Sequence, residues 1–82
     1  MPDYSSTDFP ARIGGFVRSC RKMAGLTQLG LAELAGIGKT AVFEIEKGKA
    51  TVRLDTLLAV LDVLSISLEL VGPMDTEETG DA

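Results

Sequence analysis

The sequence predicts an all-α fold of four to five compact helices, completed by one short C-terminal β-strand that pairs with its copy across a homodimer. Three observations lead there. Two short helical patterns meet at Gly36-Ile37-Gly38, leucines recur at helical spacing over 54–64, and the apolar period then falls from that of a helix to that of a strand over 65–71. Eighty-two residues suit one small domain. Its expected bounds are 10–72, between a disordered segment, 1–9, and an acidic disordered tail, 73–82.

The first helix is expected from about Pro10 to Met23, because Ile13, Val17, Cys20 and Ala24 share a face and Arg18, Arg21 and Lys22 fall largely elsewhere. Pro10 suits a first turn and Asp8 is near enough to cap it. Gly14-Gly15 costs helix stability and invites fraying, and Gly25 ends the element. Thr27 is a good N-cap for a second helix over 28–35, with Leu31, Leu34 and Ala35 facing the core and the small Ala32 at a helix crossing. Gly36 supplies a left-handed C-cap, and Ile37 tucks inward just beyond it.

A third helix begins near Gly38 or Lys39, where serine or threonine would cap better than glycine, and ends before Gly48. Val42 and Ile45 form its packing stripe. A fourth helix over about Leu54–Leu64 carries Leu54, Leu57, Leu58, Leu61 and Leu64 on one face, widened by Ala59, Val60 and Val63. So broad an apolar face suggests burial from two sides. Ile66, Leu68 and Leu70 then alternate with Ser65, Ser67 and Glu69 until Gly72-Pro73. A single strand has no partner within such a chain, so dimerisation through Leu61, Leu64, Ile66, Leu68 and Leu70 is expected.

The formal charge of −4 hides a division along the chain. Residues 12–53 hold all eight basic side chains against three acids, a surplus of five positive charges, whereas 54–82 hold seven acids and no base. The basic part suits a polyanion, and the acidic end would lower non-specific affinity or meet a basic partner.

A tight hinge followed by a helix with a polar outer face is what places a helix in a DNA major groove. Lys39, Thr40, Phe43, Glu44 and Lys47 lie away from the Val42/Ile45 stripe. Lys39 can reach a guanine edge or a phosphate, Thr40 a base or a thymine methyl, Phe43 a methyl group, and Glu44 a cytosine amine unless a basic neighbour pairs with it. Gln28, in the first turn of the second helix, can grip a phosphate together with free backbone N–H groups. Lys47, Lys49 and Arg53 suit phosphates at the end of the third helix and beyond it, as do Arg18 and Lys22 on the first. Read without a ligand, these bases are an ordinary solvated surface. Glu46 points away from the reading face, and a structural bond to Arg21 or another base of the first helix is expected.

Catalysis has little to work with. The chain has no histidine, its single Cys20 is expected as a buried thiol that cannot form an intrachain disulfide, and no metal-ligand spacing or phosphate-cradling glycine motif is present. Glu44 and Glu46, two apart, do not face each other on a helix. No metal or cofactor is expected. Neither a membrane-spanning run nor a signal-like N-terminus is found, so a cytoplasmic location is expected.

The segment TQLGLAELAGIGKTAVFEIEKG resembles the Cro/C1-type helix-turn-helix family, whose pattern runs Thr-Gln-x-x-Leu-Ala-x-x-x-Gly-Ile/Val-Ser-x-x-x-Ile-Ser-x-Ile/Trp-Glu-x-Gly. Thr27, Gln28, Leu31, Ala32, Gly36, Ile37, Val42, Ile45, Glu46 and Gly48 match, while Gly38 replaces the serine and Phe43 a commonly polar groove residue. Covering about 11–65, the resemblance implies a compact four- to five-helix domain that binds double-stranded DNA as a dimer. It implies Gln28 on phosphate and Lys39, Thr40 and Glu44 at base-reading positions. Two recognition helices held about 34 Å apart in a dimer read half-sites one DNA turn apart, so an inverted-repeat operator is expected.

LLAVLDVLSISLELVG is similar to the end of the HipB-like antitoxins. That narrower resemblance implies a repressor of its own operon and a HipA-like kinase toxin as partner. The alternatives are a stand-alone repressor, or a helical protein-interaction module that leaves Lys39 and Thr40 without a task.

Overall fold

A computed structural model describes residues 8–73 of the chain. It contains four helices, α1 (Asp8–Met23), α2 (Gln28–Ala35), α3 (Lys39–Lys47) and α4 (Leu54–Val63). The rest of the segments expected to be disordered, 1–7 and 74–82, lies outside the described residues. α1 packs on α3, α2 on α3 and α4, and α3 touches α4. Every helix contributes to one core: Val17 from α1, Leu31 and Ala32 from α2, Val42 and Ile45 from α3, Val60 and Leu61 from α4. Fully burying a side chain the size of valine or leucine contributes about 2 kcal/mol.

All four helices end through a residue in the left-handed region: Gly25, Gly36, Gly48 and, at α4, Ser65 with φ 58°. After α2, the Gly36 and Ile37 N–H groups donate to the carbonyls of Glu33 and Ala32 at 3.3 and 3.0 Å. Orphan carbonyls at the helix end are thereby satisfied, and Ile37 packs against the core. Leu26 after α1 and Ile66 after α4 repeat that inward step. Thr27 caps α2 as expected, its Oγ1 accepting from Gly30 N–H at 2.9 Å. Gly38 caps α3 without a side-chain bond.

The expected C-terminal strand is not formed: no β-strand exists among the described residues, and 66–72 follow α4 as irregular chain. The finding that overturns it is the end of α4. Ser65 turns left-handed, Ile66 N–H donates to Leu61 carbonyl at 2.8 Å, and the Ile66 side chain is drawn onto the core. Ile66 therefore belongs to a helix-closing turn. Beyond it Leu68 and Leu70 stand exposed, with no neighbouring strand in the described chain to complete a ladder. Over the described residues the fold is an all-α, four-helix domain.

Three smaller expectations also change. Leu34 is 63% exposed, because Leu31, Ala32 and Ala35 set the buried stripe of α2 and turn Leu34 to the opposite side. On α4, Val60 is a core residue while Leu54 and Leu58 face outward. Cys20 is partly exposed. Gly14, read above only as a cost to α1, marks where α1 crosses α3: a Cβ there would run into the carbonyl oxygens of Ile45 and Glu46. Only glycine lets the two backbones approach so closely.

Candidate nucleic-acid interface

α3 is held by Val42 and Ile45, 0% and 3% exposed, so its opposite side faces outward. Lys39, Thr40, Phe43 and Lys47 are exposed there, and Glu44 is half-buried. Residues three and four apart are neighbours on a helix, so these side chains make one ridge. Two shallow hollows adjoin it. One is lined by Gln28, Lys39, Thr40 and Phe43, the other by Ala41, Glu44, Thr51, Val52, Arg53 and Thr56. The Lys47 ammonium lies over the Phe43 ring, 5.5 Å from its centroid, where the electron-rich face attracts a cation.

Behind the ridge is a buried ionic group. Arg21 donates from Nε to Glu46 Oε2 at 2.6 Å and from Nη2 to Oε1 at 3.1 Å, and its Nη1 donates to the Leu26 carbonyl at 2.8 Å. Gln28 Nε2 adds a bond to Glu46 Oε1 at 3.0 Å. The side chains of Arg21 and Glu46 are only 10% and 4% exposed. Burial pushes the Glu46 carboxyl up, but hydrogen bonds from Arg21 and Gln28 and the charges of Arg21 and Arg18 prevail and hold it below its ordinary value. The hydrogen bond to Glu46 raises Arg21, outweighing its burial. Both groups stay charged, and α1, the start of α2 and α3 are tied at one point. Of the alternatives open to Glu46 in the sequence, Arg21 is the partner taken.

The remaining candidate residues surround this frame. Glu44 pairs with Lys49 at 3.3 Å, so its carboxylate is partly neutralised beside the ridge. Arg53 grips Asp55 through two bonds of 3.0 and 2.9 Å, drawing that carboxyl down to about 2. Both pairs are exposed and worth little to stability. Arg18 and Lys22 are exposed on α1, and Arg18 is near enough to act on Glu46. Gln28 is half-buried between Glu46 and the hollow it shares with Lys39. Among the residues expected to dimerise, Leu61 is 4% exposed within the core, Leu64 and Ile66 are half-buried, and Leu68 and Leu70 are open.

A family model described as helix-turn-helix matches residues 17–71. The chain belongs to the helix-turn-helix family. A curated relative, the uncharacterized HTH-type transcriptional regulator y4mF of Sinorhizobium fredii (strain NBRC 101917 / NGR234), is 39% identical over 64 residues, 78% of this chain and 84% of that protein. A chain of the HipA-HipB-O2-O3 complex has the same fold, with TM-score 0.71 and 24% identity over 90% of this chain and 99% of its own length. A chain from the complex of a singly substituted HipB with an O2 20mer gives the same score and identity over 90% of this chain and 97% of its own. The Cro/C1-type resemblance read from 27–48 is borne out. In helix-turn-helix terms α2 and α3 are the pair joined by the turn at Gly36, with α3 as the outward helix.

No helix of the described residues is long and apolar enough to cross a membrane. No group of three or more His, Cys, Asp and Glu among them could hold a metal ion.

Proposed function

We propose that this helix-turn-helix protein is a sequence-specific repressor of transcription that binds double-stranded DNA in the cytoplasm as a homodimer. We propose further that it is the antitoxin of a HipA-like kinase. The observation that carries the DNA reading is the outer ridge of α3, where Lys39, Thr40, Phe43 and Lys47 project from a helix fixed behind by Val42 and Ile45. A B-DNA major groove, about 12 Å wide, admits one helix and offers donors, acceptors and methyl groups to side chains of this kind. Lys39, Thr40, Phe43 and Glu44 would meet bases. Gln28, Arg18, Lys22, Lys47, Lys49 and Arg53 would meet phosphates on either side.

The homodimer reading rests on apolar surface that one copy leaves uncovered: Leu58 of α4, and Leu68 and Leu70 beyond it. Two recognition helices fixed about 34 Å apart would read half-sites one DNA turn apart. The antitoxin reading is supported by likeness to the HipB complexes and by a curated relative described as a transcriptional regulator.

Selection from a random pool of duplexes tests the DNA reading. The enriched sequences are expected to be inverted repeats with half-site centres about one helical turn apart. With these five cations on phosphates in each half-site, log affinity should fall against log salt with a slope of roughly −9. A pool that shows no enrichment, or an affinity indifferent to salt, would contradict the reading. Failure to form a complex with a purified HipA-like kinase would leave a repressor acting alone.

A further inference from the structure

The outer ridge of α3 is polar or cationic except at Phe43, whose ring is 48% exposed where solvent gives it no reason to be. Its neighbours give it one. Lys47, one turn later, lies over the ring at 5.5 Å from the centroid. Thr40 and Lys39, one turn earlier, join Phe43 and Gln28 around the hollow. The ring thus carries the Lys47 cation and borders a shallow hollow whose other lining residues, Thr40, Lys39 and Gln28, give it a polar rim.

Resting on the DNA reading above, we infer that this hollow receives the C5-methyl group of a pyrimidine, so that Phe43 selects a methylated pyrimidine in each half-site. That methyl group is the one apolar feature a base pair presents in the major groove. In the polar rim Lys39 can donate to the O4 acceptor beside the thymine methyl, and the Gln28 amide oxygen can accept from the N4 amine beside that of 5-methylcytosine. Thymine and 5-methylcytosine carry the group at the same ring position. A partner protein inserting an apolar side chain is the competing occupant. The surrounding Lys39, Lys47 and Gln28 favour the polyanion.

The test uses the full chain and a duplex it has selected from a random pool. Each thymine is replaced in turn by uracil, which removes only the methyl group. One position in each half-site is expected to lose roughly fourfold in affinity, the size of one buried methyl. Phe43→Ala should bind thymine and uracil duplexes equally at that position while melting at the wild-type temperature. Phe43→Leu should keep part of the preference.

Exchanging that base pair for one with cytosine or 5-methylcytosine separates the two sources. A matching gain on methylation means that the site takes either base, and no gain means thymine alone. Indifference to uracil at every position, or an unchanged thymine preference in Phe43→Ala, would overturn the inference while DNA binding stood. A wild-type chain that selects no duplex would overturn the DNA reading itself, and this inference with it.

Discussion

Replacing Lys39 and Thr40 together with alanine is expected to weaken binding to the selected inverted repeat by about a thousandfold. Each good base contact contributes about 1–3 kcal/mol of discrimination. A dimer would lose four contacts, about 4 kcal/mol at the low end of that range. The fold should not suffer. Both side chains are exposed, on the face opposite Val42 and Ile45, and alanine is the better helix former at each position. Stability should stay within about 0.5 kcal/mol of wild type. Fluorescence anisotropy with the selected duplex and a thermal melt give the two readouts. An unchanged affinity in a folded double variant would leave the ridge without a task and favour a protein-interaction module.

Glu46→Ala is expected to damage the domain itself. It strands the Arg21 guanidinium, removes the acceptor of Gln28, and cuts the tie between α1, α2 and α3. Breaking a buried ion pair from one side costs about 3 kcal/mol or more. For a domain of this size that lowers the melting temperature by on the order of 15 °C.

The same carboxylate gives the expected pH dependence. Its pKa in the folded chain is below the ordinary 4.5, so its stabilisation is fully present above that value. It is lost as pH falls through the lower, folded value. Glu46→Gln should therefore be less stable than wild type at neutral pH, with a flatter decline below about 4.5. Chemical denaturation followed from neutral pH down through the acid range measures this directly. A wild-type stability at neutral pH in both variants would mean that the ion pair contributes nothing.

The parts legible in the sequence were those governed by neighbours in the chain. Thr27 caps α2, Gly36 and Gly48 close α2 and α3, and Ile37 folds inward, each by a rule that spans a few residues. The inward stripe of α3, and hence the outward ridge, followed from the spacing of Val42 and Ile45. Matters decided by distant neighbours were harder. Leu34 and Leu31 fit a helical stripe equally well until the neighbours of α2 decide which of them is covered.

Gly14 reads in sequence only as a cost to its helix, because the Ile45 and Glu46 carbonyl groups it accommodates lie far along the chain, in α3. Its place one turn before Val17, on the buried side of α1, was the available signal. The alternation of Ile66, Leu68 and Leu70 has the period of a strand, and alternation alone cannot tell a ladder residue from one that closes a helix. The left-handed Ser65 decides between them, and serine gives no warning of that conformation as glycine does.

The most direct measurement is an amide chemical-shift titration of the isotopically labelled chain with its selected duplex. The largest shifts are expected at Lys39–Lys47 and Gln28, with smaller ones at Lys49 and Arg53, and Val60 and Leu61 of α4 should stay nearly still. Shifts concentrated on Leu58, Leu68 and Leu70, with the outer ridge of α3 undisturbed at saturating DNA, would contradict the assignment of that ridge as the surface that reads DNA.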